Sequence, residues 1–372
     1  MHLGKFHAVI DELATEYSNG NIASQIQSVI AQLDSLAANP GSPEIAKAFR
    51  TQVDVLRNAL SSSPLNKPYP TLTALLNSIG AQQYVGDRLF QNIEDVIAKN
   101  GMTPQLAAAS LRELFAKVVA FYQEVTAINN GFTRLAVEYT DLEAGEGEIG
   151  ISIPEPEGKR LLSDLAKAAK DWDKALRPFV ELADPNHDPV EVRTISSSDW
   201  QFYLGAGTTV LLALSGAVSH LNTLLRKLVE TRKLIQQLVG QGMSEASTGP
   251  AVAEADNMLN NGTRELAEKI VDEHHLEDKG RANELKTEMT RSLRFIANQM
   301  ASNVTIEIRY IPPVRSETNE DADPAATIGG DQLIEVAAQI ERNMDILRLD
   351  SESRALLNLP APDEDDHNIN VH

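Results

Sequence analysis

Six residues with metal-capable side chains lie together in the stretch VDEHHLEDKG. They are Asp272, Glu273, His274, His275, Glu277 and Asp278. On a helix, His274 and Asp278 would share one face, as would Asp272 and His275. A zinc or iron site usually needs further ligands that neighbouring hydrogen bonds hold in place, and no second ligand pair stands out in the sequence. The stretch therefore favours a solvated helix end, and we expect no metal and no cofactor.

Three glycines, Gly145, Gly147 and Gly150, have the Gly-x-Gly-x-x-Gly spacing of dinucleotide-binding loops. Such a loop must follow a strand and open a helix, because its backbone N–H groups then meet the phosphates. Here the glycines precede and enter an alternating apolar stretch that itself predicts a strand. The spacing is therefore discounted as a nucleotide site.

Other residues of catalytic or binding types stand without suitable partners. The stretch ISSSDW offers serines beside Asp199, but no histidine can be placed next to them, and a helix cap is favoured. His187 is alone in the loop DPNHDP, where a functional side chain could stand. The basic residues within 226–233 lack interleaved aromatic side chains, so they favour an exposed helix face over a nucleic-acid site. No catalytic residue is assigned from these patterns.

The charge balance restricts the classes of partner. The 372 residues include 33 lysines and arginines against 53 aspartates and glutamates, a formal net charge of −20, which repels nucleic acid. The sequence contains no cysteine, which excludes disulfides, thiolate zinc sites and cysteine nucleophiles. Charges interrupt the apolar part of the N-terminal stretch, so no signal peptide is expected and a cytoplasmic location is favoured.

Regular apolar spacing predicts long helices over much of the chain. The first shows a 3-4 heptad rhythm, which is typical of helices that pack along their length. The members of this first seam are Leu111, Leu114, Val118, Phe121, Val125, Ile128, Phe132 and Leu135. A seam of this length predicts a long partner helix, either in the same chain or in a second copy.

A second seam runs through an uncharged stretch, 200–225, that is long enough to cross a bilayer. The same 3-4 rhythm continues through charged residues as far as Val239. A membrane span would not be expected to keep this spacing beyond its uncharged part. The sequence therefore favours a buried helix of a soluble fold over 200–240, starting near Asp199 behind a capping box. The members of the second seam are Leu211, Leu214, Val218, Leu221, Leu225 and Leu228.

Small residues spaced four apart keep a membrane interpretation open. They are Gly205, Thr209, Ala213 and Ala217. On a helix such a stripe lets backbones approach closely, as in membrane helices and in tight soluble bundles. A membrane contact is therefore possible for this stretch but disfavoured.

Alternating apolar residues predict three strands, at 149–153, 190–194 and 304–310. The first two flank a helix, and this order predicts a parallel βαβ pair within a small three-stranded sheet. We therefore expect a mainly α protein. Its predicted parts are a helical bundle over 1–140, an α+β domain over 147–311, a disordered linker over 312–330, an amphipathic helix over 331–350 and an acidic tail over 351–372.

These patterns favour a non-catalytic cytoplasmic scaffold or assembly protein that associates through its long helices. We expect a homo-oligomer and an unknown protein partner. The first alternative is a membrane-acting toxin or defence effector that releases the stretch 200–225 from its fold. The second alternative is an enzyme whose site carries no sequence motif.

Overall fold

A computed structural model gives the arrangement of most of the chain. It describes residues 3–66, 68–101, 103–138, 142–154, 161–183, 190–196, 200–274, 278–313, 324–344, 347 and 349–357. Within these residues, twelve α-helices and four strands form two compact units, His2–Asp141 and Leu142–His372. The expectation of a mainly helical chain with a small sheet is confirmed.

The N-terminal unit is a bundle of helices. In chain order they are α1 (Leu3–Asn19), α2 (Ile22–Ala38), α3 (Pro43–Ser61), α4 (Pro70–Ser78), α5 (Gly86–Lys99) and α6 (Pro104–Arg134). Ser42 caps α3 by accepting a hydrogen bond from the Ile45 N–H at 3.4 Å, and Pro43 occupies the first turn. α6 is the longest of these helices and packs against α1, α2 and α5.

The first seam lies mainly inside this bundle. Its three most buried members are at most 2 % exposed, and three others are half-buried. Ile128 and Leu135 are 40 % and 77 % exposed, so the seam leaves the core towards the end of α6. Helices of the same unit therefore cover the first part of the seam. The buried members are Leu111, Val118 and Val125, and the half-buried ones are Leu114, Phe121 and Phe132.

The C-terminal unit combines one sheet with six helices among its described residues. The strands are β1 (Gly147–Ile153), β2 (Glu191–Ser196), β3 (Trp200–Gly205) and β4 (Thr305–Tyr310). The helices are α7 (Leu162–Ala183), α8 (Thr208–Gly240), α9 (Glu245–Glu273), α10 (Lys279–Ala301), α11 (Pro324–Asn343) and α12 (Ser351–Leu357). The strand order is β2–β3–β1–β4, and every neighbouring pair is antiparallel.

The prediction of a parallel βαβ pair is wrong. β3 lies between β1 and β2, and Ile151 of β1 pairs with Phe202 of β3 on one side and with Ile306 of β4 on the other. β3 was not expected, because its residues directly precede a long apolar helix and were assigned to that helix. The additional strand provides an antiparallel neighbour for both β1 and β2, so the two strands that flank α7 do not meet.

The uncharged stretch is divided between a strand and a helix. Its first residues form β3, and α8 begins at Thr208 instead of near Asp199. Trp200, Phe202 and Tyr203 suit a strand, because aromatic side chains pack well on a pleated surface. The helical part of the stretch is therefore shorter than the run of uncharged residues indicates.

α8 is the central helix of the C-terminal unit. Helices α7, α9, α10, α11 and α12 pack against it, and so does β4. All members of the second seam are at most 2 % exposed, so elements of the same chain cover this seam as far as Leu228. These buried members are Leu211, Leu214, Val218, Leu221, Leu225 and Leu228.

The expected stripe of small residues is not continuous on one helix. Gly205 belongs to β3, and Thr209 is exposed at the start of α8. On α8 itself, Ala213 is half-buried and Ala217 is buried. α8 and α9 instead approach closely at Gly262, where an added Cβ would come within 2.7 Å of a leucine side chain of α8.

The C-terminal segments differ from the sequence expectation in two respects. α11 begins at Pro324, inside the predicted linker 312–330. α12 occupies the start of the predicted acidic tail. Residues 314–323 of the linker and 358–372 of the tail lie outside the described residues.

Candidate functional site

The acidic and histidine-rich stretch lies between α9 and α10. His274 directly follows α9, and its Nδ1 lies 2.8 Å from a backbone carbonyl one turn earlier. Asp278 caps α10 by accepting hydrogen bonds from two N–H groups of its first turn. His275 and Glu277 lie outside the described residues, as does His187. Within the part of the chain that is described, no three metal-ligating side chains come together.

A cleft of about 660 Å³ lies at one end of the sheet in the C-terminal unit. The first residues of β1 and β2, the end of β3 and the first turn of α8 line it. Four glycines form part of its wall, and Gly207 precedes α8 without a side-chain cap. The uncapped start of a helix attracts negative charge, because its first N–H groups are unpaired. The glycines are Gly145, Gly147, Gly205 and Gly207.

The charges on the cleft wall oppose such an anion. Arg193 of β2 donates a hydrogen bond to Glu146 at 2.8 Å. This bond holds the pKa of the Glu146 carboxyl below its usual range. Glu191 lines the same cleft, so two carboxylates face one guanidinium. The net charge of the described lining is negative, which disfavours a phosphate ligand.

A smaller cleft of about 260 Å³ lies beside the start of α5 in the N-terminal unit. Asn66 joins two segments there: its Oδ1 accepts from the Asp87 N–H at 2.6 Å, and its Nδ2 donates to the Leu60 carbonyl at 2.8 Å. Val85 precedes α5 and provides no side-chain cap. Asn66 therefore caps α5 from a distant segment, which gives this polar cluster a structural role.

Gly86→Ala is expected to destabilise the N-terminal unit by about 3 kcal/mol. The φ of Gly86 is +48°, and an added Cβ would overlap the Asn66 Oδ1. Positive φ costs a non-glycine residue about 1–2 kcal/mol, and a displaced Asn66 would lose its hydrogen bond to α5, worth about 1 kcal/mol. Gly80→Ala is the matched control, because Gly80 has a φ of +68° with nothing within 4 Å of an added Cβ. If thermal unfolding showed the same loss of stability for Gly86→Ala and Gly80→Ala, the capping role of Asn66 would be contradicted.

A partly buried carboxyl lies in the N-terminal unit. Glu16 Oε2 is buried and has no hydrogen-bond partner among the described residues. Burial raises the pKa of Glu16, although hydrogen bonds from the Ser63 hydroxyl and the Gly86 N–H act in the opposite direction. Burial also raises the pKa of Tyr122, and the charge of Glu16 adds to this effect. The ring of Tyr17 stacks on Tyr122 with the centroids 3.9 Å apart. Neither of the two clefts has Glu16 in its lining.

Glu16→Gln is expected to stabilise the N-terminal unit near neutral pH. The folded-state pKa of Glu16 is raised, so the folded protein binds this proton more tightly than the unfolded chain does. The resulting stabilisation is present at low pH and is lost as the pH rises through the folded-state pKa. In thermal unfolding, the Gln variant should melt above the wild type at about pH 7, with a smaller difference at about pH 4. A difference in melting temperature between the two proteins that is the same at both pH values would contradict the raised pKa of Glu16.

Arg232 has a role that the sequence pattern did not reveal. It lies four positions beyond Leu228, where the 3-4 rhythm of the second seam continues with a charged residue. Its Nη1 donates to the carbonyl of Leu356 at 2.6 Å and to that of Leu357, and its Nη2 donates to Asp256 of α9 at 2.8 Å. Arg232 thereby satisfies the last carbonyls of α12 and joins three helices. The signal in the sequence was a single charged residue within an apolar rhythm.

Apolar side chains are exposed where α8 turns into α9. We call residues 234–253 the hairpin tip. Four of its six large apolar side chains are between 40 % and 59 % exposed, and the other two, Ile235 and Leu238, are half-buried. The tip spans 20 residues and contains one charged residue, Glu245, although 23 % of the whole chain is charged. The exposed side chains are Leu234, Val239, Met243 and Val252.

α8 is also the one helix, among the described residues, that is long and apolar enough to cross a membrane by length and composition. The mean hydropathy of its most apolar 18-residue window is 1.3. Half of that window is buried inside the protein.

The geometry of the chain itself is the basis for proposing a function. No protein-family model, no curated protein and no solved structure matches this chain.

Proposed function

We propose that the protein is a non-catalytic cytoplasmic scaffold or assembly protein that associates with other protein chains through the hairpin tip. The observation that carries this proposal is the exposure of Leu234, Val239, Met243 and Val252 on a nearly uncharged segment. Exposed apolar side chains that occur together mark protein interaction sites, since their removal from water favours association by about 25 cal/mol per Å².

The long helices act in this proposal by holding the tip in place. The apolar rhythm of α8 continues beyond the buried Leu228 to Ile235, which is half-buried, and Val239, which is 45 % exposed. One helix is thus anchored in the core and also presents apolar residues to a partner. The ion pair between Arg232 and Asp256, at 2.8 Å, joins α8 to α9 just before the tip. This anchoring lowers the entropy that the tip loses on binding.

A photoreactive amino acid in place of Val239 tests the proposal in the native host. We expect light-dependent adducts heavier than the 40.6 kDa chain, because Val239 would contact the partner. The matched control places the same amino acid at Glu230, an exposed position of α8 outside the tip. Adducts at neither position, or at Glu230 alone, would contradict the proposal.

The length and hydropathy of α8 also support a second candidate, a membrane-acting protein that releases this helix. Burial of the second seam opposes it, because release would expose six large apolar side chains to water before they reached a bilayer. Flotation with lipid vesicles distinguishes the two candidates. Comigration of the wild type with vesicles at neutral pH, together with loss of protection from hydrogen exchange in α8, would favour the membrane-acting protein.

A further inference from the structure

We infer that the hairpin tip binds the hairpin tip of a second copy of this chain, so that two α8–α9 hairpins pack around a twofold axis. This inference rests on the proposed function, and it names the partner. Three observations lead to a second copy: the distribution of charge, the size of the tip and the open space beside its glycines.

Charge decides where two copies can meet. Each chain has a formal net charge of −20, so two copies repel each other over most of their surfaces. The tip has one charged residue among 20, which makes it a surface on which like-charged chains can approach with little repulsion. Its exposed apolar side chains then provide the attraction, and a twofold contact uses the same patch on both copies.

The size of the tip fits a symmetric contact. Stable interfaces take about 20–30 residues from each partner. The tip has 20 residues, of which Thr248 is buried and Ile235 and Leu238 are half-buried in their own chain, so a pairwise contact would use most of the exposed remainder. A second hairpin supplies a surface of the same length and the same apolar character.

Two glycines in the tip have open space beside them and no backbone conformation that requires glycine. An added Cβ at Gly240 or Gly249 would meet nothing within 4 Å, whereas Gly242, which also has open space beside it, has a φ of +91° that favours glycine in the turn. Gly249 lies inside α9, where glycine weakens a helix. Small residues let the backbones of neighbouring helices approach closely, and open space beside them leaves room for a second hairpin.

The composition of the tip favours a protein partner over a lipid surface. Helices that lie on membranes usually carry lysine or arginine on their polar face and aromatic residues near the headgroups. Between positions 234 and 253 the chain has no lysine, arginine, tryptophan, tyrosine or phenylalanine. Its one charge is acidic, which anionic lipids repel.

Light scattering of the purified full-length chain tests the inference. At micromolar concentration we expect a mass of twice 40.6 kDa for the wild type. The double substitution Val239→Lys and Met243→Lys should raise the Kd about 100-fold, because each copy would bring two like charges into the contact, four in all. Val55→Lys is the matched control: Val55 lies on α3 and is 45 % exposed, as is Val239. A wild-type mass of 40.6 kDa at every concentration, or a doubled mass that the tip substitutions leave unchanged, would overturn the inference.

Chemical cross-linking provides a second readout. The sequence has no cysteine, so Met243→Cys introduces a single thiol into the tip. A short thiol-reactive cross-linker should join two copies of this variant, whereas the Val55→Cys control should stay uncross-linked. Cross-linking of the control alone would place the contact elsewhere and overturn the inference.

Two further results separate this inference from the proposed function. Adducts of position 239 with other proteins in the host, combined with a purified chain that stays monomeric, would retain the proposed function and reject the second copy. A monomer that binds vesicles of phosphatidylcholine and phosphatidylglycerol through the tip would reject both.

Discussion

Leu221→Asp abolishes the cooperative folding of the C-terminal unit under conditions in which the wild type is folded; this is the largest effect that we expect. Leu221 is 0 % exposed and lies in the middle of α8, the helix against which the sheet and five helices pack. An unpaired buried charge costs several kcal/mol, and the lost leucine packing adds about 2–5 kcal/mol. The sum approaches the whole stability of a typical domain, about 5–15 kcal/mol.

Leu162→Asp is the control for this substitution. It makes the same chemical change in the same unit, but Leu162, at the start of α7 and outside the hairpin tip, is 80 % exposed. We expect its free energy of unfolding to change by less than about 1 kcal/mol. Thermal unfolding and hydrogen exchange within Leu142–His372 measure both variants. Wild-type melting of the Leu221 variant would show that the second seam is not buried.

Val125→Asp should have a comparable effect on the N-terminal unit. Val125 is 2 % exposed on α6, the longest helix of that bundle. The aspartate would lack a counter-charge in an apolar core, and we expect a loss of about 4 kcal/mol or more. Hydrogen exchange should report lost protection within His2–Asp141.

Ile128→Asp, one turn further along α6, is the matched control because Ile128 is 40 % exposed. Its melting temperature should stay close to that of the wild type. If Val125→Asp and Ile128→Asp destabilised the unit equally, the difference in burial between these two members of the first seam would be contradicted.

Apolar periodicity was sufficient to predict the long helices, because a helix buried along one face needs an apolar residue every three or four positions. α6 and the helical part of α8 follow this rule. The same rule does not state what covers the face. The first seam was expected to have a long partner helix in the same chain or in another, and the second was expected to be buried in a soluble fold. The structure shows same-chain helices over Leu111 and over Leu221.

The sheet was harder to predict, because pairing depends on contacts between distant residues. The residues of β3 form an apolar run that is continuous with α8, so no break marked the strand. Without β3, the strands at 149–153 and 190–194 had only each other as neighbours. Antiparallel pairing with β3 became evident only from the register that joins Ile151 to Phe202.

The candidate association surface could be recognised only in part from the sequence. The continued rhythm as far as Val239 indicated that α8 extends beyond its uncharged part, and the scarcity of charge over 234–253 is visible in the sequence. Exposure is a property of the folded chain, because it depends on where α9 begins and on which elements cover α8. The bond from Arg232 to the end of α12 likewise joins residues that are far apart in the chain.

Hydrogen exchange of the full-length chain at low and high concentration tests the association surface most directly. We expect the amides of 234–253 to exchange more slowly as the concentration rises, because a bound partner excludes water from the tip. Amides at the exposed end of α6, near Leu135, should exchange at the same rate throughout. Exchange in the tip that does not depend on concentration, together with protection that appears at another surface, would contradict the proposal that this protein associates through its hairpin tip.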